Sequence, residues 1–124
     1  MLYIGVDLGT SAVKLLLMNS EGHIEKIASR EYALSFPHPG WSEQNPYDWY
    51  DQSVDGLQEL LSESDKSQVA GISFGGQMHG LVTLDEKDKV VRPAILWNDG
   101  RTTAETEYLN KEIGKDKLSQ YTAN

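Results

Sequence analysis

The segment Asp7-Leu8-Gly9-Thr10-Ser11-Ala12-Val13-Lys14 lies between two short apolar runs, Leu2 to Val6 and Leu15 to Met18. Runs this short and apolar read as strands. A glycine with small hydroxyl residues between them reads as a tight turn. The chain therefore opens on a β-hairpin with an acid at the end of its first strand. A strand follows the loop, so the two best-known phosphate loops are excluded: there is no second glycine at Walker spacing before a Lys-Ser/Thr pair, and no G-x-G-x-x-G opening a helix.

Two readings of this turn stay open. Gly9 lets a ligand approach the backbone, Thr10 and Ser11 add hydroxyl donors, and Lys14 adds a point charge. With Asp7 holding magnesium through water, those parts suit a metal-bound polyphosphate. The same residues also make an ordinary hairpin turn, with Asp closing the strand through local hydrogen bonds.

Beyond the hairpin, Asn19-Ser20-Glu21-Gly22 is turn material, and Ile24 to Leu34 reads as a third strand pairing antiparallel with the second. Phe36 to Gln44 holds Pro37, Pro39 and Gly40 and reads as a loop. Asn45 is a helix N-cap, with Pro46 at N1 and Asp48 at N3. Tyr50, Val54, Leu57 and Leu61 follow at helical spacing, widened by Trp49 and Leu60, as a core stripe. Val69 to Phe74 reads as a fourth strand buried on both faces. Leu81 to Leu84 and Val90-Val91 flank a polar turn and predict a small hairpin, and Ala94 to Trp97 is a fifth strand. Thr102 and Glu105 have capping-box spacing, opening a helix that stops at Gly114. This order predicts an α/β mixed sheet: strands 1–3 antiparallel, strands 1, 4 and 5 parallel by a right-handed crossover, with flanking helices. Loops at the carboxyl ends of strands one and four then meet, placing Asp7 and Gln77-Met78-His79 in one cleft.

Composition narrows the function. The 124 residues carry a net charge of −8 and no cysteine, and 39% are hydrophobic. That balance disfavours nucleic acid and anionic membranes as partners. Disulfides, Cys-ligated zinc and thiol catalysis are excluded. Asp7 interrupts the first apolar run, which lacks a basic lead, so no signal peptide is expected; nor does any stretch reach membrane-spanning length. A soluble cytoplasmic protein is the expectation.

Histidines 23, 38 and 79 have no mutual metal-ligand spacing. His23 reads as solvated in a turn and His38 as a packing residue between prolines. His79, in a glycine-flanked loop after a strand, could donate to a polyol hydroxyl or be incidental to a backbone-shaping loop. Trp41 and Trp97 each precede polar residues, a pattern shared by sugar sites and by partly buried core edges. No pair of carboxylates is placed as an acid/base dyad.

Several segments together resemble one family. They are Tyr3-Ile4-Gly5-Val6-Asp7-Leu8-Gly9-Thr10-Ser11, Pro37-His38-Pro39-Gly40-Trp41-Ser42-Glu43-Gln44, Gly75-Gly76-Gln77-Met78-His79-Gly80 and Arg92-Pro93-Ala94-Ile95-Leu96-Trp97-Asn98-Asp99-Gly100-Arg101. The chain resembles the N-terminal part of the FGGY carbohydrate kinases, and Gln-Met-His-Gly ties it to their xylulokinase branch. The resemblance implies two ribonuclease-H-like, actin-like domains around a cleft, with residues 1–124 forming the start of the first. It implies ATP and Mg2+, and phosphoryl transfer to a ketopentose, D-xylulose. Asp7 would hold the magnesium–phosphate group through water, and Gly9, Thr10, Ser11 and Lys14 would lie along the phosphates. Gln77, Met78, His79, Trp97 and Asp99 would face the sugar. It also implies that the general base and the adenosine-binding motifs lie beyond residue 124, so this stretch alone is expected to be inactive. A homodimeric parent is one option. Two other readings stay open: a non-catalytic sugar- or nucleotide-binding module, and a kinase for another polyol or ketose.

Overall fold

A computed structural model of the chain describes residues 1–123. Strands β1 (Leu2–Leu8), β2 (Ala12–Asn19) and β3 (Ile24–Glu31) form an antiparallel meander. Helix α1 (Pro46–Leu60) and a short 3-10 turn at Lys66–Gln68 lead to a further strand, Val69–Gly76. A two-residue strand β4 (Glu43–Gln44) precedes the helix, so Val69–Gly76 is β5. It runs parallel to β1, giving the order β3-β2-β1-β5.

The alternation along each strand decides which face is buried. Ile4 and Val6 of β1, and Val13, Leu15 and Leu17 of β2, form the core with Ala28, Tyr32 and Leu60. Helix α1 closes that face by lying across β2 and β3. Its start matches the sequence expectation: the Asn45 side chain accepts from the Tyr47 N–H at 3.2 Å, and Pro46 occupies the first turn. Most of its expected stripe does face the core: Leu60 is buried, as is Gly56, and Trp49, Leu57 and Leu61 pack against the cluster, while Tyr50 is 71% exposed. Gly56 is what allows the close approach, since a Cβ there would lie 2.5 Å from Leu15 Cδ1. Arg30 of β3 pairs with Asp55 and Glu59, and Lys26 Nζ donates to the Glu59 carbonyl at 2.9 Å near the helix end, where a cation suits the dipole.

Four expectations need correction. β5 is not buried on both faces: Ile72 is 46% and Phe74 63% exposed. They lie beside Ile4 and Val6 in the register, but α1 covers β2 and β3 and stops short of them. Second, the Ala94–Trp97 run does not extend the parallel set. Only Ala94–Ile95 is a strand, β6, and it pairs antiparallel with β4 as a separate two-stranded sheet. Third, the expected hairpin at 81–91 forms only in its inner part: a Leu84–Val90 bridge is flanked by hydrogen bonds from Asp85 N–H to the Lys89 carbonyl at 2.8 Å and from Val91 N–H to the Thr83 carbonyl at 3.0 Å, while Leu81 exchanges hydrogen bonds with Ile95 instead. Last, Thr102 precedes helix α2 (Thr103–Glu112) without a side-chain capping bond. Gly114, at φ +91°, does end that helix, yet the chain turns there into α3 (Lys115–Thr122). Neither α2 nor α3 has a buried residue.

Candidate active site

Three segments converge beyond the carboxyl ends of β1 and β5. Gly9 and Thr10 of the hairpin turn, Gly76 at the end of β5 with Gln77 to His79 after it, and Trp97 after β6 enclose a concavity of about 380 Å³. The turn is held from several sides. Gly9 N–H donates to the Ala12 carbonyl at 3.0 Å, and Tyr32 N–H to the Ser11 carbonyl at 3.1 Å. The Tyr32 hydroxyl donates to the Gly9 carbonyl. Burial, helped by the negative charge of Asp7, raises the Tyr32 pKa and keeps that donor protonated. Gln44, 1% exposed, donates from Nε2 to the Thr10 carbonyl at 2.7 Å.

The loop after β5 is seated as firmly. Gln77 N–H donates to the Leu8 carbonyl at 2.8 Å. Gly76 permits this, because a Cβ there would stand 2.6 Å from that same oxygen. His79 has φ +62°, a left-handed conformation unusual for a residue with a side chain. It gives the loop its shape and leaves Met78 71% exposed. Trp97 Nε1 donates to Thr10 Oγ1 at 3.2 Å, so the indole is pinned by its edge while more than half its surface stays open. An aromatic face next to hydroxyls and amides suits the C–H faces of a sugar.

The structure brings Gly9, Thr10, Gln77, Met78, His79 and Trp97 together. It does not bring Asp7, Ser11, Lys14 or Asp99 to that concavity. Asp7 alternates with the core residues Val6 and Leu8, so its side chain leaves the sheet on the opposite face. There it sits across from Lys14 in the β1–β2 register, and both line a separate groove of about 420 Å³ with Leu16 and Ile27. The expected single cleft is thus two concavities at one end of the sheet. Ser11 is exposed at the turn and lines neither.

Asp99 is committed elsewhere. Its side chain is 2% exposed and accepts from Arg101 Nε at 2.8 Å, Arg101 Nη2 at 2.7 Å and Ser42 N–H at 2.6 Å. Those bonds, led by Arg101, hold its carboxyl well below the usual carboxylate range. Arg101 also reaches Glu43 at 2.8 Å, as does Arg92, and lies 3.7 Å over the Trp41 ring. His38 meets Trp41 edge-on, with ring centroids 4.5 Å apart. Asp99, Trp41 and His38 therefore brace the loops behind the site.

Sequence reasoning gave Gln44 and Tyr32 no part in the site and read Trp49 only as widening the core stripe of α1. Gln44 stood inside a quoted motif, but nothing in its residue type marks it as buried. Among the described residues no group of three or more His, Asp or Glu could hold a metal by itself.

A β-hairpin turn facing a strand-end loop across a mixed sheet is the arrangement of the actin-like ATPases, and solved relatives share it. Over 96% of this chain, the structure of xylulose kinase from Rhodospirillum rubrum superposes with a TM-score of 0.91 at 33% identity. The gluconate kinase from Lactobacillus acidophilus gives 0.89 at 25% identity, again over 96%. The chain covers 25% and 24% of those two chains. Xylulose kinase of Bacillus subtilis (strain 168) is 47% identical over 123 residues, 98% of this chain and 24% of the relative. The profile described as "FGGY family of carbohydrate kinases, N-terminal domain" matches residues 2–124. The chain belongs to the FGGY family of carbohydrate kinases, and it spans about a quarter of the length of the curated relatives it matches.

Proposed function

We propose that these residues form one wall of the active site of an ATP-dependent kinase that phosphorylates the terminal hydroxyl of D-xylulose. The observation that carries this is the single concavity in which Gly9 and Thr10 face Gln77, Met78, His79 and Trp97. Identity of 38–47% to xylulose kinases from Escherichia coli and Bacillus subtilis supports the choice of sugar.

Phosphoryl transfer needs positioning and charge stabilisation more than covalent chemistry from the protein. Thr10 and the turn backbone orient phosphate oxygens, and Lys14 offers charge from the neighbouring groove. Trp97 supplies an apolar platform and His79 a donor for sugar hydroxyls. Asp7 is one exposed carboxylate rather than a cage. That donor set fits Mg2+, which keeps several waters and is held by one or two carboxylates together with substrate phosphates. Asp7 would hold the ion through water, and the ion would neutralise phosphate charge. No carboxylate lines the Thr10–His79–Trp97 concavity among the described residues. The group that takes the proton from the sugar hydroxyl therefore comes from the remainder of the kinase, and residues 1–124 alone give no turnover.

A coupled assay for ADP release by the full-length kinase, with D-xylulose, gluconate and glycerol, tests the reading. The highest kcat/KM is expected for D-xylulose. A higher value for gluconate or glycerol overturns the sugar assignment, and no turnover with any sugar overturns the kinase.

A further inference from the structure

We propose that Gln44 is a positioning residue that sets the phosphate turn and the sugar loop at once, an inference that rests on the kinase reading above. Gln44 lines neither concavity at the carboxyl ends of β1 and β5. It is nonetheless tied to every wall of the one that holds Thr10 and His79. Its Nε2 donates to the Thr10 carbonyl at 2.7 Å, and its Oε1 accepts from Gln77 Nε2 at 3.3 Å. Its backbone pairs with Ala94 in the strand that leads to Trp97.

The orientation of this amide is fixed by its neighbours. Indole N–H is a donor only and a carbonyl an acceptor only. Trp49 Nε1 donates to Gln44 Oε1 at 2.8 Å, so the oxygen faces α1 and the NH2 faces Thr10. That order passes to Gln77, which must present its own NH2 to Gln44. Gln77 Oε1 is then left buried without a hydrogen-bond partner among the described residues. A buried acceptor without a donor is unfavourable, so this polarity is worth maintaining only where a donor arrives. Gln77 lines the concavity, and the hydroxyl of a bound polyol is a donor of the right kind. Trp49 thus orders Gln44, and Gln44 orders Gln77.

The position of Gln44 gives it an unusual kinetic signature. A change that only loosens the fold lowers the active fraction, and with it the apparent kcat, while leaving KM values alone. A change at one loop moves one KM. Loss of the Gln44 amide releases both loops and should move both. In the full-length kinase, Gln44→Met keeps the length of the side chain and removes its hydrogen bonds. The KM for Mg-ATP and the KM for the sugar should each rise about tenfold, with apparent kcat falling less than threefold. Gln77→Met should raise the sugar KM alone, and the double variant should raise it no further than Gln77→Met does. Trp49→Phe, which deletes only the indole N–H donor, serves if Gln44→Met fails to fold, and should raise both KM values about threefold.

Unchanged KM values with a lower apparent kcat would make Gln44 merely structural. A rise in only one of the two would also overturn the proposal. Should the wild type turn over none of the sugars, the kinase reading fails separately, and hydrogen exchange decides this one. The Gly9 and Gln77 amides should then lose protection together in Gln44→Met, and loss at only one of them would refute it.

Discussion

Two adjacent glycines at the end of β5 should respond to the same substitution with opposite signs. A Cβ on Gly76 would lie 2.6 Å from the Leu8 carbonyl oxygen and 2.9 Å from Leu8 Cβ. The first contact is 0.4 Å inside the 3.0 Å limit that real Cβ contacts respect, the difference between 2.6 and 3.0. Its partner is backbone, so no side chain can turn away. The β1 and β5 strands must part, and the Gln77 N–H bond to the same carbonyl, 2.8 Å long, stretches with them. Overpacking of this kind costs about 1–3 kcal/mol. Gly75 has nothing within 4 Å of its would-be Cβ, and its φ is not positive. Gly75→Ala therefore narrows the unfolded ensemble without strain and stabilises by about 0.5 kcal/mol. In the full-length kinase, Gly76→Ala should lower the thermal midpoint and the protection of the Gln77 amide against hydrogen exchange. It should also reduce kcat/KM for the sugar about 10- to 100-fold, since a small displacement of a binding loop is costly. Gly75→Ala should leave the Gln77 amide protected and raise the midpoint slightly. A Gly76→Ala enzyme with wild-type midpoint and exchange, or a Gly75→Ala enzyme equally damaged, would refute the steric reasoning.

Asp7→Asn should reduce kcat by two orders of magnitude or more, with the thermal midpoint little changed, because the carboxylate is exposed and, on the proposed reading, acts on phosphate charge. Near-normal turnover would remove Asp7 from the site. Tyr32→Phe strips the donor from the part-buried Gly9 carbonyl and should cost about 1–2 kcal/mol, read as a lower urea midpoint. The Asp99 carboxyl titrates lower in the folded protein than in the unfolded chain, where aspartate sits near about 3.9. Its contribution to stability is therefore present above about pH 4 and is lost as pH falls toward the folded value. Asp99→Asn should flatten the decline of the urea midpoint between about pH 5 and 3; an unaltered slope would show that the Arg101 pair does not depress it.

What was legible in the sequence was local. The first hairpin follows from two apolar runs and a Gly-Thr-Ser turn, and the start of α1 from Asn45-Pro46, because each signal acts within a few residues. The Asp99–Arg101–Glu43–Arg92 network was not legible, since it joins β4 to residues on both sides of β6, 49 positions or more away along the chain. Composition alone does not tell whether a carboxylate meets a sugar or a guanidinium. β4 and β6 are two residues each and carry no period to read. For β5, apolar composition showed a strand that favours burial but not which neighbour covers it, and α1 packs chiefly on β2 and β3. Asp7 was placed in the cleft by its position at a strand end; the alternation of β1 sends its side chain through the other face.

That alternation separates two tasks within seven residues. Even-numbered positions of β1 build the core, and the β1–β2 turn beyond them supplies neutral contacts, the Gly9 and Thr10 backbone and the Thr10 hydroxyl. Asp7 and Lys14, on the other face, supply the charges. The concavity with Thr10, His79 and Trp97 is lined by no Asp, Glu, Lys or Arg among the described residues, which suits a neutral sugar and leaves no local charge to compete with a transferring phosphate. A polyanion approaching this chain meets a net charge of −8, with Lys14 the one Lys or Arg lining either concavity among the described residues. On the proposed kinase reading, attraction would come from a cation carried with the phosphate and from the opposing side of the site, while this wall would contribute position. A wall whose task is position gains from rigidity, and its polar anchors serve that end: Tyr32 on Gly9, Gln44 on Thr10 and Gln77, and Trp97 on Thr10.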